Sequence, residues 1–226
     1  MKLSNETLST LKNFANINSN IVLNPGQTVK TMSESKTIMA SAQISEDMPA
    51  QIGVYDLNEF LGVVNMFNDP ELVFDPSFKS VRVSEGKRAV KYFFSEPSIL
   101  TSPSKDVVMP ACPVSFTISS EDMSNLRKAA SALGVTDVVV KCEDGHTPQL
   151  VVTDTKDSTS NSYEIDLDDC SCDGVTCKFI FNISNFKFVA DDYEVSISDK
   201  LISNFKAKNT PIEYWVALEK NSTFGG

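Results

Sequence analysis

The sequence predicts an α+β protein made of two similar domains, each with helices and short alternating strands. Two observations carry this prediction. The stretch VSFTISSEDMSNLRKAASALG at 114–134 matches, in pattern, the stretch at 4–18 near the start of the chain. A second pair, YDLNEFLGVV at 55–64 and FNISNFKFVA at 181–190, recurs at a similar spacing. A period of roughly 110 residues indicates two domains of one fold and excludes a solenoid of short repeats.

Each member of the first pair predicts a helix that begins after a serine. Ser4 and Ser119 stand at the capping position, where a hydroxyl accepts a hydrogen bond from an otherwise free amide of the first turn. Apolar residues at helical spacing predict a narrow buried stripe on each helix. The stripes consist of Leu8, Leu11 and Ala15 in the first helix, and of Met123, Leu126, Ala130 and Leu133 in the second.

The faces opposite these stripes carry small, uncharged or basic residues, with no acid beyond the first turn. They comprise Ser9, Lys12, Asn13 and Asn16 in one helix, and Ser124, Arg127, Lys128 and Ser131 in the other. Such faces are unexpected in a chain of 226 residues whose formal net charge is −10. A ring of such domains with these faces inward would have a mildly positive hole. It would contact the phosphates of DNA without reading bases.

The second repeated pair predicts a short helix in each domain. Asp56 and Asn182 stand at the caps, and Lys187 adds a basic residue to the second copy. Strands are predicted on both sides of these helices, and the last one of the first domain is placed at 89–94. Residues after Glu219 are predicted to form a frayed tail.

A linker is predicted between the two domains. The segment 95–113 holds four prolines out of the ten in the chain, and few of its positions alternate between apolar and polar. Proline disfavours helix in the residue before it and stiffens an extended chain. The predicted domains are therefore 1–94 and 114–226.

Motifs of enzymes are absent from the sequence. No Gly-x-Ser-x-Gly, P-loop or Gly-x-Gly-x-x-Gly occurs, and the single histidine, His146, lies in a stretch of turn composition. A general base needs an oriented partner, and none is evident beside His146. We therefore predict that the protein is not an enzyme.

Metal-binding patterns are incomplete, so no metal and no cofactor is predicted. The acidic cluster at 166–173 has Ser171 where a calcium-binding EF-hand loop requires glycine. Cys170, Cys172 and Cys177 supply three sulfurs at a spacing unusual for zinc. The five cysteines are predicted to be reduced thiols. No signal peptide and no membrane span is predicted.

Three stretches resemble the DNA polymerase sliding clamps of T-even-type bacteriophages: MKLSNETLSTLKNFANINSNIVL at 1–23, VYDLNEFLG at 54–62 and YWVALEKNST at 214–223. The resemblance covers essentially the whole chain. It implies the DNA clamp fold, with two similar domains per subunit and three subunits closed head to tail as a homotrimer. Helices would line a central hole and sheets would lie outside.

The resemblance also implies partners and a location. Double-stranded DNA would be encircled without sequence preference, and a replicative DNA polymerase would be tethered for processive synthesis. A clamp-loader ATPase would open the ring, and late-transcription factors of the phage would use it as a platform. The protein would act in the cytoplasm of the infected bacterial host.

Three sets of site residues follow from matching the family's arrangement to this sequence. The residues facing DNA are Lys12, Asn13, Asn16, Arg127, Lys128 and Lys187. The subunit interface joins the strand of Val90, Tyr92 and Phe94 to the strand of Tyr163, Ile165 and Leu167 in the next subunit. The apolar linker beside the hydrophobic last strand supplies the third set, which either forms a pocket for a partner peptide or simply packs the linker down: Val107, Val108, Met109, Tyr214, Val216 and Leu218. The loop DDCSCDGVTC at 168–177 departs from the family pattern.

One alternative from another class stays open at this point. A non-enzymatic structural or assembly protein of a phage would also be acidic, duplicated and without catalytic residues. Such a protein would not need acid-poor helix faces, and an assay of loading onto nicked circular DNA separates the two hypotheses.

Overall fold

A computed structural model describes residues 1–172 and 175–225. These residues divide into two compact units, Met1–Asp106 and Val107–Gly226. The division falls inside the segment 95–113 that the sequence assigns to the linker. Asp173, one of the acidic residues considered for calcium, lies outside the described residues. In the described part of the chain, no helix is long and apolar enough to cross a membrane.

The first unit contains two helices and seven strands. In chain order they are α1 (Asn5–Ile17), β1 (Ile21–Leu23), β2 (Gly26–Met32), β3 (Ile38–Met48), β4 (Ile52–Val54), α2 (Leu57–Val64), β5 (Glu71–Phe74), β6 (Ser80–Glu85) and β7 (Arg88–Phe93). All pairings are antiparallel: β1 with β4, β2 with β3, and β5 with β6 and β6 with β7. A single 3-10 turn, Pro97–Ile99, follows in the proline-rich segment.

The buried stripe of α1 differs from the one that the sequence predicts. Leu11 is buried as expected, but its buried companions are Thr7, Phe14 and Ile17. Leu8 and Ala15 are only half-buried. The buried positions follow each other at spacings of four, three and three residues, so they form one helical face that includes Phe14 and Ile17. Burying each of these two side chains stabilises the fold by about 1.5–3 kcal/mol. Thr7 is tolerated on this face because its hydroxyl is hydrogen-bonded to Glu46.

The second unit contains one helix and nine strands among its described residues. They are β8 (Val114–Ile118), α3 (Ser120–Leu133), β9 (Asp137–Cys142), β10 (Gln149–Thr153), β11 (Tyr163–Asp166), β12 (Thr176–Asn182), β13 (Tyr193–Ser198), β14 (Ile202–Ala207), β15 (Ile212–Ala217) and β16 (Thr223–Gly225). One sheet has the order β11-β10-β9-β12-β16. In the other, β8, β13, β14 and β15 are neighbours in that order.

The end of the described chain is ordered, so the prediction of a frayed tail after Glu219 was wrong. The Glu219 amide donates to the Ile180 carbonyl at 2.7 Å. Beyond it, β16 pairs with β12, and the Phe224 ring stacks on Phe179 with centroids 5.9 Å apart. The sequence offered no periodicity here because the strand is only three residues long.

The second short helix is replaced by a 3-10 turn, Ile183–Asn185, so that prediction was also wrong. The cap residue is right, since the Asn182 side chain accepts a hydrogen bond from the Ser184 amide at 3.0 Å. Phe186 and Phe188 both enter one aromatic cluster, where Phe188 lies 4.6 Å from Tyr214 between ring centroids. Residues two apart share a side in extended chain and not in a helix, so the cluster excludes the helix.

Candidate DNA-facing helices, sheet edges and docking surface

A carboxylate from a neighbouring strand holds the start of α1. Ser4 accepts from the Thr7 amide at 3.2 Å, as the sequence predicts. Glu46 of β3 accepts from the Ser4 amide and from the Thr7 hydroxyl. Burial alone would raise the pKa of Glu46, but these hydrogen bonds outweigh it and lower the pKa. The negative charge also lies at the positive end of the helix dipole, which fixes where α1 begins.

The outer face of α1 keeps the character that the sequence predicts. Lys12 and Asn16 are exposed, and Asn13 is half-buried. The Asn16 amide group donates to the Lys12 carbonyl at 3.3 Å. The only acid within α1 is Glu6, in the first turn. The face therefore presents one cation among small polar groups.

Helix α3 begins after a capping serine, as α1 does. Ser119 accepts from the Asp122 amide at 3.0 Å, and the helix ends at Gly134, whose φ of 68° is in the left-handed region that favours glycine. Met123, Leu126 and Ala130 are buried, as the sequence predicts. The stripe therefore agrees with the prediction up to Ala130, and Leu133 is half-buried.

Arg127 makes contacts that the sequence did not indicate. Its Nη2 donates to the carbonyl of Phe186 at 2.9 Å and to that of Phe188 at 3.4 Å. The side chain is half-buried, and burial lowers the pKa of its guanidinium. The extended segment after the 3-10 turn supplies both carbonyls. Arg127 therefore ties α3 to that segment and does not simply project from the helix.

The two remaining candidates for contact with DNA differ from each other. Lys128 is exposed on α3. Lys187 is half-buried and lies in the extended segment, with its amide donating to the Asn185 carbonyl at 2.9 Å. The structure thus presents Lys12 and Lys128 as exposed cations on equivalent helices, and Lys187 on no helix.

Half of the predicted peptide pocket is closed, which corrects the prediction. Tyr214, Val216 and Leu218 are 0%, 0% and 6% exposed. The Tyr214 hydroxyl accepts from the Val189 amide at 3.2 Å, so this side chain belongs to the core of the second unit. Val108, by contrast, is 88% exposed, with Val107 and Met109 half-buried on either side. Of the six residues predicted for the pocket, only Val107, Val108 and Met109 therefore offer an accessible apolar surface.

The two strands predicted at the subunit interface are both terminal strands of their sheets. β7 ends the sheet β5-β6-β7, and β11 ends the five-stranded sheet of the second unit. The Phe94 amide donates to the Lys79 carbonyl at 2.9 Å, so the backbone groups of Phe94 face β6. Along an antiparallel strand, the backbone groups of successive residues face the neighbouring strand and the other side in turn. Backbone groups of Val90 and Tyr92 therefore face β6, and those of Ala89, Lys91 and Phe93 face outward.

The same reasoning applies to β11. The Leu167 amide donates to the Pro148 carbonyl at 2.8 Å. The backbone groups of Tyr163 and Ile165 therefore face β10, while those of Glu164 and Asp166 face the open edge. Among the side chains named by the prediction, Tyr92 and Leu167 are buried, and Val90, Phe94, Tyr163 and Ile165 are half-buried. Tyr92 packs edge-on against Phe60, with ring centroids 5.3 Å apart.

Charge distinguishes the two open edges. Lys87 and Lys91 are exposed at or beside β7, and Glu164 and Asp166 are exposed on β11. Phe93, next to Lys91, is 67% exposed. One edge is thus basic with an exposed aromatic ring, and the other is acidic.

Solved structures define the class of protein. A PCNA of A. fulgidus, solved with the C-terminal region of FEN-1, aligns with a TM-score of 0.71 and 14% sequence identity over 98% of both chains. A beta clamp of Helicobacter pylori, solved with a DNA ligase peptide, aligns with a TM-score of 0.66 and 14% identity. The alignment covers 96% of this chain and 66% of the Helicobacter chain. The fold is therefore that of the DNA clamps.

Sequence relatives give the family. The profile described as DNA polymerase processivity factor matches residues 4–75, and the profile described as gp45 sliding clamp, C terminal, matches 115–220. The sliding clamp of Vibrio phage KVP40 is 31% identical over 223 residues, which are 97% of this chain and 99% of the relative. That of Enterobacteria phage T4 is 29% identical over 99% of both chains. The chain belongs to the sliding clamp family of T4-like phages.

These comparisons confirm the family and the clamp fold that the sequence predicts. They do not favour the alternative of a structural or assembly protein. The similarity to these relatives does not say which residues contact DNA, the neighbouring subunit or a partner peptide. Those assignments remain predictions.

Proposed function

We propose that three copies of this chain close head to tail around double-stranded DNA and tether the replicative DNA polymerase of the phage. The observation that carries the proposal is the pair of capped, acid-poor helices α1 and α3 in a clamp of net charge −10. A negative exterior and two locally basic faces suit a ring that slides on phosphates without binding them tightly.

The same proposal includes the partners that load and use the ring. A clamp-loader ATPase opens it, late-transcription factors bind it, and it acts in the cytoplasm of the infected host. The protein itself catalyses no reaction. We assign contact with DNA to Lys12, Asn13, Asn16 and Lys128, and give Arg127 the role of positioning α3. Lys187 contributes charge from the extended segment.

The subunit joint is proposed between β7 of one subunit and β11 of the next. Support comes from the outward backbone groups of Lys91 and Glu164, which leave both edges open to further pairing. A head-to-tail ring needs two different, complementary edges on each subunit. The basic edge of β7 and the acidic edge of β11 meet that requirement.

The docking surface for partners is proposed at 107–109. The PCNA and the beta clamp described above were solved with segments of partner proteins. An exposed Val108 beside half-buried Val107 and Met109 suits one or two apolar side chains of a short carboxy-terminal peptide of the polymerase. Each such anchor contributes roughly 1–3 kcal/mol, which is compatible with exchange among partners.

The test of the function is loading onto DNA and processive synthesis. A variant with Lys12→Glu and Lys128→Glu should form rings but give shorter polymerase products, because two cations per subunit become repulsive toward phosphate. The defect should grow as salt is raised from about 50 to 200 mM, since phosphate contacts weaken with salt. Product length on primed circular DNA is the measurement.

A matched control separates charge from position. Lys36→Glu with Lys208→Glu makes the same change in net charge at exposed lysines outside both helices and outside both proposed edges of the subunit joint. That control should leave product length at the wild-type value if the ring still assembles. Equal product lengths for wild type and the helix variant at moderate salt would contradict the assignment of α1 and α3.

A further inference from the structure

The exposed face of the sheet β5-β6-β7 carries two cations directly opposite each other. The strand register places Arg82 of β6 between Val73 of β5 and Lys91 of β7. These three side chains are exposed, whereas Val81 and Tyr92, their chain neighbours, are buried. Because side chains alternate along a strand, the row of three lies on the face turned away from the core.

This cation pair has a cost that nothing within the unit offsets. Like charges directly opposite on neighbouring strands repel and destabilise a sheet. Among the described residues, neither Arg82 nor Lys91 forms an ion pair with an acid. Two acids flank the row on the side of β5: Glu71 is exposed, and Asp75 accepts from the Ser80 hydroxyl at 2.7 Å. The two positive charges are therefore available to an anion from outside.

The hairpin that carries the pair is the basic part of an acidic chain. Residues 79–91 hold five basic residues and one acid, in a chain whose formal net charge is −10. The one acid, Glu85, forms an ion pair with Arg88 at 2.8 Å. Complementary charge steers an acidic partner toward such a surface.

Exposed apolar side chains flank the two cations. Val73 is 50% exposed, and Phe93 is 67% exposed. Phe93 comes two residues after Lys91 on β7 and therefore lies on the same face. Two strand spacings of about 4.8 Å and two residue steps of about 3.4 Å put Val73 and Phe93 about 12 Å apart. An extended peptide covers this distance in about four residues, so its side chains i and i+4 reach the two apolar positions while i+2 lies over the cations.

We propose that this face is a docking surface for a short, extended, acidic segment of a partner protein. Carboxylates of the segment contact Arg82 and Lys91, and two apolar side chains four residues apart pack on Val73 and Phe93. The surface is distinct from the one proposed at 107–109. Pairing at the open edge of β7 uses backbone groups and leaves this face of the sheet free.

A peptide fits this surface better than a strand of nucleic acid does. The Lys91 Nζ lies over the Phe93 ring, 4.8 Å from its centroid. It occupies a ring face on which a base would have to stack. Val73 offers no donor to a phosphate, but it does offer a contact to an apolar side chain.

The test measures fluorescence anisotropy of a labelled peptide, Asp-Leu-Ser-Glu-Ser-Phe-Asp, with the intact protein. In the proposed ring Lys91 also lies at the edge that meets the next subunit, so the variants are made on β5 and β6. Arg82→Glu should weaken binding about tenfold, because an attraction becomes a repulsion. Val73→Asp should weaken it as well. Sedimentation velocity should show the oligomer of the wild type for both.

A matched control is Lys36→Glu, which makes the same change of charge at an exposed residue of the first unit, between β2 and β3. It should bind the peptide as the wild type does. A peptide with benzophenone in place of the phenylalanine ring tests the site without any variant, since irradiation should crosslink it to fragments from residues 71–93.

The proposal is overturned if Lys36→Glu weakens binding as much as Arg82→Glu, or if the crosslinks map to 107–109 or to the second unit. It also fails if a peptide with serine in place of leucine and phenylalanine binds equally well. Displacement of the peptide by single-stranded oligothymidylate would assign the face to nucleic acid instead. Absence of binding at about 1 mM peptide, the weak end of specific recognition, would remove the surface altogether.

Discussion

At the scale of single residues, two neighbours on α3 carry the same charge in different surroundings. Arg127 donates to two backbone carbonyls and is half-buried, whereas Lys128 is exposed. A charged donor that satisfies buried carbonyls contributes more to stability than an exposed one, because its loss leaves acceptors without a partner. Comparing variants of these two residues therefore distinguishes an effect on stability from an effect on contact with DNA.

We predict that Arg127→Met lowers the free energy of unfolding by about 1–3 kcal/mol, because the carbonyls of Phe186 and Phe188 lose their donor. Lys128→Met should change it by no more than about 0.5 kcal/mol, as expected for an exposed site. Urea unfolding followed by circular dichroism measures both.

The matched pair of variants also gives a functional readout. Each removes one positive charge, so equal destabilisation would argue that Arg127 is a solvated residue like its neighbour. In polymerase assays, Lys128→Met should shorten products at a temperature where both variants are folded. A stability loss in Lys128→Met larger than in Arg127→Met would reverse the two roles.

At the scale of elements, the features that the sequence predicted correctly are those that depend on residues close together in the chain. The caps Ser4, Ser119 and Asp56 are found where they were expected, because a capping side chain needs only its own first turn. The stripe of α3 also agrees up to Ala130. These features depend on residues three or four positions apart in the chain.

What the sequence could not predict depends on partners that are distant in the chain. The segment after Asn182 is extended because Phe188 packs on Phe205 and Tyr214, with centroids 4.8 and 4.6 Å away. The helix α1 is fixed by Glu46, which comes from β3. Cys142 and Cys177 become neighbours only through the pairing of β9 with β12. None of these partners is visible in a local window.

Edge strands allow a sharp test of the proposed joint. Glu164→Pro should prevent trimers and leave the subunit folded, because the lost N–H faces the open edge of β11. Ile165→Pro, one residue further, should instead destabilise the fold, since its N–H faces β10. Mass by light scattering reports the oligomer, and thermal unfolding reports the fold.

The two prolines are controls for each other. Both introduce the same ring into the same strand, so only the direction of the missing donor differs. If Glu164→Pro remains trimeric at micromolar concentration, β11 is not the strand that meets the next subunit.

At the scale of the whole molecule, a closed ring of three constrains how the charges on the edges combine. Lys87 and Lys91 make the β7 edge basic, and Glu164 and Asp166 make the β11 edge acidic. Every joint of a head-to-tail ring then opposes unlike charges. Each exposed pair is worth only about 0.2–1 kcal/mol, but reversing several charges at three joints adds repulsion throughout the ring.

We predict that reversing one edge alone, by Lys87→Glu with Lys91→Glu or by Glu164→Lys with Asp166→Lys, weakens the trimer at low salt. A chain that carries all four changes should form trimers again, because every joint regains unlike charges. Raising the salt to about 1 M should reduce the defect of the single-edge variants, since screening then acts within about 3 Å. Sedimentation velocity measures the species.

A mixture of the two single-edge variants is the stricter experiment. One has two acidic edges and the other has two basic edges, so attractive joints form only between unlike subunits. Unlike subunits must then alternate, and a closed ring of three cannot alternate. The mixture should therefore yield dimers and short open chains at low salt, whereas the chain with both edges reversed closes. Closed trimers from the mixture, as abundant as those of the wild type, would show that these charges do not lie at the joint.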